Sequence, residues 1–570
     1  MYKKAGILLF LWLALADLQA QPHAYRIDFV PETTGMPALT GRADSAGFML
    51  RVQEVYHDLL WRGYLLANID SLQMQGETWR AQIHVGQRYR WQALGVRGIP
   101  EELLSKAGYR QHNFDGRLFS IKEFSRLVEN LLTLAADNGH PFATLKLDAI
   151  AVDSNRVSAT LVYHAGPEIR YDSLVLNPPD LVKPAFLAAY LHIRPGELYQ
   201  LKTIRQLPLN LSRLPYLNPA DTFTLSYRDG RCRITLPLQA VKANNIDGLI
   251  GFLPSQNADN KLLVTGYVNL ELHNLFRAGK YLRLAWQQFN RQSQTLHLAY
   301  RHPNLFASPV GLSGDFNLLR QDTAFLQTAF HLQAFYRQRY WEVWFKGAFR
   351  SSRPLAAPAD SLSLPAIADY KLRQVGAGLA YSTLTDAINP IGGGRVFLEG
   401  LVGSKQINKS PGVAESVYDS LVLRPLQTTW QAGGEYNLRL GRLLVGHADA
   451  IVAAIFSNER LFVNDLLRLG GVSNLRGFND LELYVSEYAL LRLELRLLMG
   501  SDSRLFLFYD QAFTRNRVYA QSDTPLGFGG GLVLNTGAGM LQLVYALGVS
   551  AQQSLSLAQS RIHVGYVARF

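Results

Sequence analysis

From about Ile246 to the C-terminus, apolar and polar residues alternate with a period of two. Tyr281–Gln287 sets Leu282, Leu284 and Trp286 on one face, and Leu296, Leu298 and Tyr300 repeat this opposite His297 and Arg301. Leu491, Leu493, Leu495 and Leu497 share one side, with Arg492, Glu494 and Arg496 on the other. The last segment sends Ile562, Val564, Tyr566, Ala568 and Phe570 one way, and Arg561, His563 and Arg569 the other. Successive strand side chains point to opposite faces, so this pattern predicts a series of β-strands with one apolar and one polar face. Turn-rich stretches such as Ser351–Ala366 and Lys405–Ser420 read as loops between strands.

The preceding part, residues 24 to 244, mixes periods and repeats itself. Gly63-Tyr64-Leu65-Leu66-Ala67 closes one helix and Gly139-His140-Pro141-Phe142-Ala143 another, 76 positions later. His84-Val85-Gly86 is echoed by His164-Ala165-Gly166 at a spacing of 80. Ile121, Phe124, Leu127, Val128 and Leu131 form a stripe at helical spacing, with a capping box from Ser120 and Glu123 and a C-cap glycine at Gly139. Phe48, Val52, Val55 and Leu59 do the same in the earlier unit. These landmarks predict tandem strand–helix–helix–strand–strand units over 24–92, 93–168 and 169–244. In the third, the helices are expected between Gly196 and Leu217, where Pro208 and Pro215 interrupt the pattern.

The first twenty residues change the picture. Lys3 and Lys4 precede an apolar run from Ala5 to Ala16, and Ala20 offers a small residue for cleavage, so residues 1–20 read as a secretory signal peptide. Beyond it there is no apolar run of roughly 18 residues, so no transmembrane helix is predicted. Cys232 is the sole cysteine, which excludes an internal disulfide and leaves zinc-cluster and iron–sulfur readings without ligands. The net charge of +12 is scattered along alternating segments rather than clustered, and the chain is exported, which argues against nucleic acid. Composition is uninformative here. A membrane barrel averages to the same near-zero mean hydropathy as a soluble protein, because its lipid-facing and lumen-facing residues cancel.

A soluble sandwich also alternates. A barrel is favoured by the long alternating runs, by aromatic residues near segment ends, and because closure alone satisfies every strand backbone group in lipid. Residues 245–570 divide among sixteen antiparallel strands at about 20 residues each, enough for tilted strands of about ten and their connections. Other chemistry finds no support. Gly527, Gly529, Gly530 and Gly531 lack the Lys-Ser/Thr of a phosphate loop. His84 and His164 belong to separate units, and no nucleophile elbow or metalloprotease helix is present. No enzymatic activity, cofactor or metal site is expected.

The tandem units resemble POTRA domains. The segment Gly470–Asp480 (GGVSNLRGFND) resembles the R-G-F/Y loop of the BamA/TamA superfamily of outer-membrane assembly factors, which pairs POTRA repeats with a bacterial surface antigen barrel. Leu493-Glu494-Leu495-Arg496 is similar to the E-L-R strand after that loop. Leu505–Ala512 is similar to the next strand's F-x-D-x-G, with Phe508 and Asp510 kept and Ala512 in the glycine's place. Leu526–Gly548 resembles the penultimate region, and Asn269–Lys280 the early-barrel segment, with Arg277-Ala278 replacing its first glycine. The terminal Phe570 resembles the end of a β-signal.

This resemblance implies an outer-membrane protein with periplasmic POTRA units, closest in layout to TamA. It implies insertion or export of unfolded barrel or surface-protein clients without ATP, through a seam between Gly248–Leu253 and Arg561–Phe570, with Gly565, Tyr566 and Phe570 as seam residues. A TamB-like periplasm-spanning partner follows from the same likeness. The loop residues Arg476, Gly477 and Phe478 are expected to fold inward, with Arg476 held by Asp510 and Glu494 beside Phe508. The alternative is a solvated Arg476, with the carboxylates paired to Arg492 and Arg496. Other functional readings are a two-partner-secretion transporter for one exoprotein, a passive porin, and a lipid-handling role. The first usually has two POTRA units and a plug helix, whereas three units are read here and no plug precedes Tyr25.

Overall fold

A computed structural model describes residues 23–31, 36–254, 262–288, 293–358, 360–384, 389–500, 502–536 and 539–570. The predicted signal peptide lies outside the described residues. The chain forms two compact units, one built mainly from the first two repeats and the other from the barrel with most of the third.

The repeats fold around small sheets backed by helices. In the first, strand order is Leu39–Ala43, His23–Val30, Thr78–His84, Asn68–Gln75, with the middle two parallel. Helix α1 (Ser45–Trp61) buries Phe48, Val52 and Leu59 against that sheet, capped by Asp44, whose carboxylate accepts from Gly47 N. One expectation fails here. The first unit has the strand Leu39–Ala43, not a helix, between its first strand and α1.

The second unit matches the expected order. It comprises Arg90–Arg97, α2 (Glu101–Ala107), α3 (Ile121–Asp137), Thr144–Asp153 and Arg156–His164. Ser120 accepts from Glu123 N, and Gly139 takes φ +91°, the left-handed turn that ends α3. Leu127, Leu131 and Ala135 of α3 pack on Trp91, Leu94 and Leu161, and each buried leucine contributes about 1.5–3 kcal/mol.

The third unit is complete, but its first helix, α4 (Pro184–Tyr190), lies earlier than Gly196. Helix α5 (Leu201–Ser212) runs through Pro208 because Ile204, Leu207 and Leu211 are buried on its inner face. The repeat extends to side-chain detail. Arg90 bonds Gly116 O and Arg170 bonds Gly196 O, each pair offset by the same spacing of 80.

Among the described residues, sixteen antiparallel strands close the barrel. They are β1 (Asn245–Pro254), β2 (Leu262–Leu275), β3 (Lys280–Gln288), β4 (Gln294–His302), β5 (Val310–Gln321), β6 (Phe325–Gln338), β7 (Trp341–Pro354) and β8 (Asp369–Ser382). The rest are β9 (Gly393–Asn408), β10 (Leu426–Arg439), β11 (Leu444–Ser457), β12 (Glu487–Leu498), β13 (Arg504–Asn516), β14 (Leu526–Thr536), β15 (Gly539–Val549) and β16 (Arg561–Arg569). Two stretches expected as loops are partly strand, since β7 continues to Pro354 and β9 to Asn408.

The alternation sorts as its physics requires. Leu491, Leu493, Leu495 and Leu497 face outward, and Ile562, Val564 and Tyr566 are 64%, 68% and 47% exposed. A continuous apolar wall of this kind is stable only against hydrocarbon. Tyr300, Tyr336, Trp341 and Tyr436 stand on it near the rim where the chain enters, as an interfacial girdle does. The inner face is ionic, with Lys346 on Glu399 at 2.9 Å and Arg492 on Asp449 at 2.8 Å.

Closure is uneven around the wall. The β1–β2 ladder spans all of Asn245–Pro254, whereas β1 and β16 pair, among the described residues, through Asn245 with Arg569 and Ile246 with Ala568. The seam strands themselves are short, with 9 residues in β16 and 10 in β1, and β3 and β4 have 9 each, although β2, between β1 and β3, has 14. Strands β6 to β11 opposite have 14 to 16.

Candidate functional site

The connection from β11 to β12, residues 458–486, crosses the far rim and turns back into the lumen. A short hairpin, Leu467–Leu469 against Leu483–Val485, carries it inward, and Gly470, Gly471 and Gly477 at φ +119°, +98° and +91° let it double back. At its tip the Arg476 guanidinium donates from Nε to Asp510 Oδ2 at 2.7 Å and from Nη2 to Asp510 Oδ1 at 2.5 Å. Nη1 donates to Glu494 Oε1 at 2.6 Å, and the Arg476 backbone N–H also reaches Asp510, at 3.1 Å. The guanidinium carbon lies 3.8 Å from the centre of the Phe508 ring. Asp510 is fully buried and the Arg476 side chain is 7% exposed, so the fork works away from bulk water, where bidentate pairing is strong.

Strand register explains why these side chains meet. Glu494 lies directly across from Phe508, and Asp510 across from Arg492. Arg492 nevertheless turns to Asp449 and to the Ser473 carbonyl, which leaves Asp510 to the loop arginine. Glu494 is shared, because Arg496 Nε takes its second oxygen at 2.7 Å. The local pairing weighed for these carboxylates is thus present at Glu494 alongside the loop arginine.

Backbone seats the rest of the tip. A Cβ on Gly527 of β14 would stand 1.9 Å from the Arg476 carbonyl oxygen, and one on Gly548 of β15 would stand 2.3 Å from that of Gly477. Phe478 and Leu475 fill a pocket with Leu490 and Ala512. Ala512 supplies a methyl wall to that pocket. The roles of Gly527 and Gly548 could not be read from sequence, because their partner is a loop far away in the chain.

A second anchor holds the loop near its start and was missed entirely. Lys405 of β9 forms a fully buried ion pair with Asp465, its ammonium also 4.5 Å and 4.8 Å from the Tyr370 and Phe462 ring centres. Asn464 Nδ2 donates to Ser352 Oγ and to Ala368 O, both at 2.7 Å, while its carbonyl accepts from the Tyr370 hydroxyl. Around them Tyr418, Leu421 and Ile407 make a small apolar core at the far rim. Nothing in the sequence hints at it, because the stretch that begins at Lys405 reads as a loop.

At the seam the expected residues divide. Gly565 and Tyr566 pair with Gln542 and Leu541 of β15, with the Tyr566 ring facing outward. Phe570 bridges the seam, its N–H donating to the Asn244 carbonyl at 3.1 Å. At the entry rim the third unit is bolted to the barrel. Lys183 N donates to Arg277 O, Phe186 packs against Gly279, and Arg213 donates to the carbonyls of Arg339 and Ser382. Among the described residues no cluster of His, Cys, Asp and Glu could hold a metal ion.

No protein-family model matches the chain, and no curated protein does. Among solved structures, CdiB from Escherichia coli is 13% identical with a TM-score of 0.55, over 91% of this chain and 96% of that one. CdiB from Acinetobacter baumannii is 13% identical with a TM-score of 0.53, over 85% of this chain and 90% of that one. BamA from Haemophilus ducreyi lacking POTRA domains 1–3 aligns at 15% identity and a TM-score of 0.42, over 84% of this chain and 98% of that one. With its apolar outer wall and ionic lumen, the chain is by fold an outer-membrane β-barrel of the kind CdiB represents, preceded by POTRA-like units.

Proposed function

We propose that this protein belongs to the BamA/TamA superfamily and inserts or exports client polypeptides through its barrel without ATP. The observation that carries the reading is the short seam between β1 and β16, strands of 10 and 9 residues joined, among the described residues, by two residue pairs in a wall whose other ladders are longer. A strand about nine residues long, tilted near 45°, spans only about 21 Å, less than the hydrocarbon of a typical bilayer. The wall is therefore weakest where it is thinnest, and a client strand can pair there. The docked loop supports the same reading and opposes a passive porin, since it occupies the lumen with a buried tip.

In this scheme unfolded outer-membrane or secreted proteins are received by the POTRA-like units. The edge strand Thr144–Asp153 suits them, with Ile150 and Val152 exposed beside unpaired backbone. A TamB-like periplasmic partner belongs to this proposal by layout. The second reading, export of one dedicated exoprotein, draws on the likeness to the CdiB fold. Depletion of the protein followed by quantitative proteomics of purified outer membranes separates the two. A selective fall in several barrel proteins supports insertion, loss of one secreted protein transfers the assignment to export, and no change in either refutes both.

A further inference from the structure

At the entry rim lies a cleft of about 250 Å³ lined by the arginines Arg213, Arg301, Arg337, Arg339 and Arg395 and by a single carboxylate, Glu342. Tyr340 and Trp341 also line it. Both Arg301 and Arg337 bond the same oxygen of Glu342, at 2.7 Å and 2.6 Å. One carboxylate thus serves two guanidiniums and leaves a net positive charge on that trio. Arg213 is committed to the carbonyls of Arg339 and Ser382, which place it but do not neutralise it. Arg395 and Arg339 are exposed, and with Glu435 of β10 directly across from Arg395 the group keeps an excess of three positive charges. Arg301, Arg337 and Arg395 come from β4, β6 and β9 and occupy lumen-facing positions, behind the wall from lipid.

We propose that this cleft is a carboxylate-binding site that receives acidic segments of a client polypeptide as they enter the lumen. Guanidiniums from separate strands present several planar forks at once, which suits successive Asp or Glu side chains better than one compact anion. A low-dielectric wall behind them focuses the field on the opening. The proposal rests on the client-handling reading above, and direct binding tests it independently of insertion.

The test uses the purified full-length protein in detergent and a fluorescent hexaglutamate peptide, read by anisotropy against hexalysine and hexaserine. Hexaglutamate is expected to bind and to weaken with salt. The double variant Arg339→Gln/Arg395→Gln, which spares the arginines that hold Glu342 and the third unit, is expected to weaken it by roughly tenfold or more. A photo-crosslinker at Leu384, which lines the cleft, should capture the peptide with every arginine intact, whereas one at the outward Leu398 should not. Equal binding of hexalysine, an unchanged affinity in the double variant, or failure to crosslink at Leu384 would each overturn the proposal. Competition by inorganic phosphate at equal charge concentration would also overturn it, by making the cleft a general anion site. Binding that persists while depletion leaves other barrels intact would refute the insertion reading and spare this site.

Discussion

Replacing Arg476 with alanine isolates the loop anchor, because the wall it docks on is held by its own ladder from Glu487 to Leu498. The loss is large for a single residue. Asp510, fully buried, keeps a carboxylate with no guanidinium and only the loop's own N–H, and stranding one partner of such a pair costs about 3–5 kcal/mol. At about 1.4 kcal/mol per factor of ten, the docked state of the tip should weaken by roughly two to three and a half decades. Hydrogen–deuterium exchange on peptides covering 470–480 reads this directly, since the Arg476 amide is itself bonded to Asp510. Exchange there should accelerate by about a hundredfold or more while the β12 and β13 amides stay protected. Arg476→Lys should fall between, because an ammonium reaches one carboxylate without the fork. Unchanged exchange in Arg476→Ala would show that the ion pairs do not hold the loop.

The remaining predictions probe other joints. Gly527→Val should undock the tip with all its charges intact, because its Cβ would stand 1.9 Å from the Arg476 carbonyl oxygen, and the same exchange measurement reports it. Lys405→Met should lower the thermal stability of the far-rim core by about 3–5 kcal/mol, whereas Lys405→Met with Asp465→Leu should recover most of it; equal losses in a melting experiment would contradict this. Pro208→Ala should raise the melting temperature, since an exposed proline inside α5 costs up to about 3 kcal/mol relative to alanine. Cysteines at Ile246 and Ala568, which face each other across the seam, should block client insertion into liposomes when oxidised and restore it on reduction; insertion by the crosslinked form would rule out lateral opening.

Much of the fold was legible because two periods encode it. Alternation along β12 and β16 could face only one way once one side had to meet lipid, and the stripe of α3 with Gly139 fixed a helix and its end. The repeat spacing of 80 reached down to the paired arginine contacts. What escaped was non-local. Strand Leu39–Ala43 is too short to carry a readable period, and α5 keeps its proline only because Leu207 and Leu211 are buried by neighbours. The ends of β7 and β9 read as loops because their buried residues, Ser352, Lys405 and Ile407, serve the Tyr370–Phe462 core and its polar anchor rather than an apolar stripe. At the loop site the motif pointed to Arg476 and its carboxylates, since each lies on a strand face that periodicity assigns. Lys405, Asp465 and the glycine seats depend on which distant segments touch, and no local pattern records that.

The bolt between the third unit and the barrel has a mechanical consequence. Helix α4 is fastened to the turn joining β2 and β3, and β2 is the neighbour of β1 along its whole length. Force applied to the third unit is therefore delivered one strand away from the weakest ladder in the wall. Arg213 clamps the same unit to the turn after β6 and to the last residue of β8, on an arc of longer strands. One attachment acts as a fulcrum and the other as a handle, so a small tilt of the unit becomes a shear across the seam.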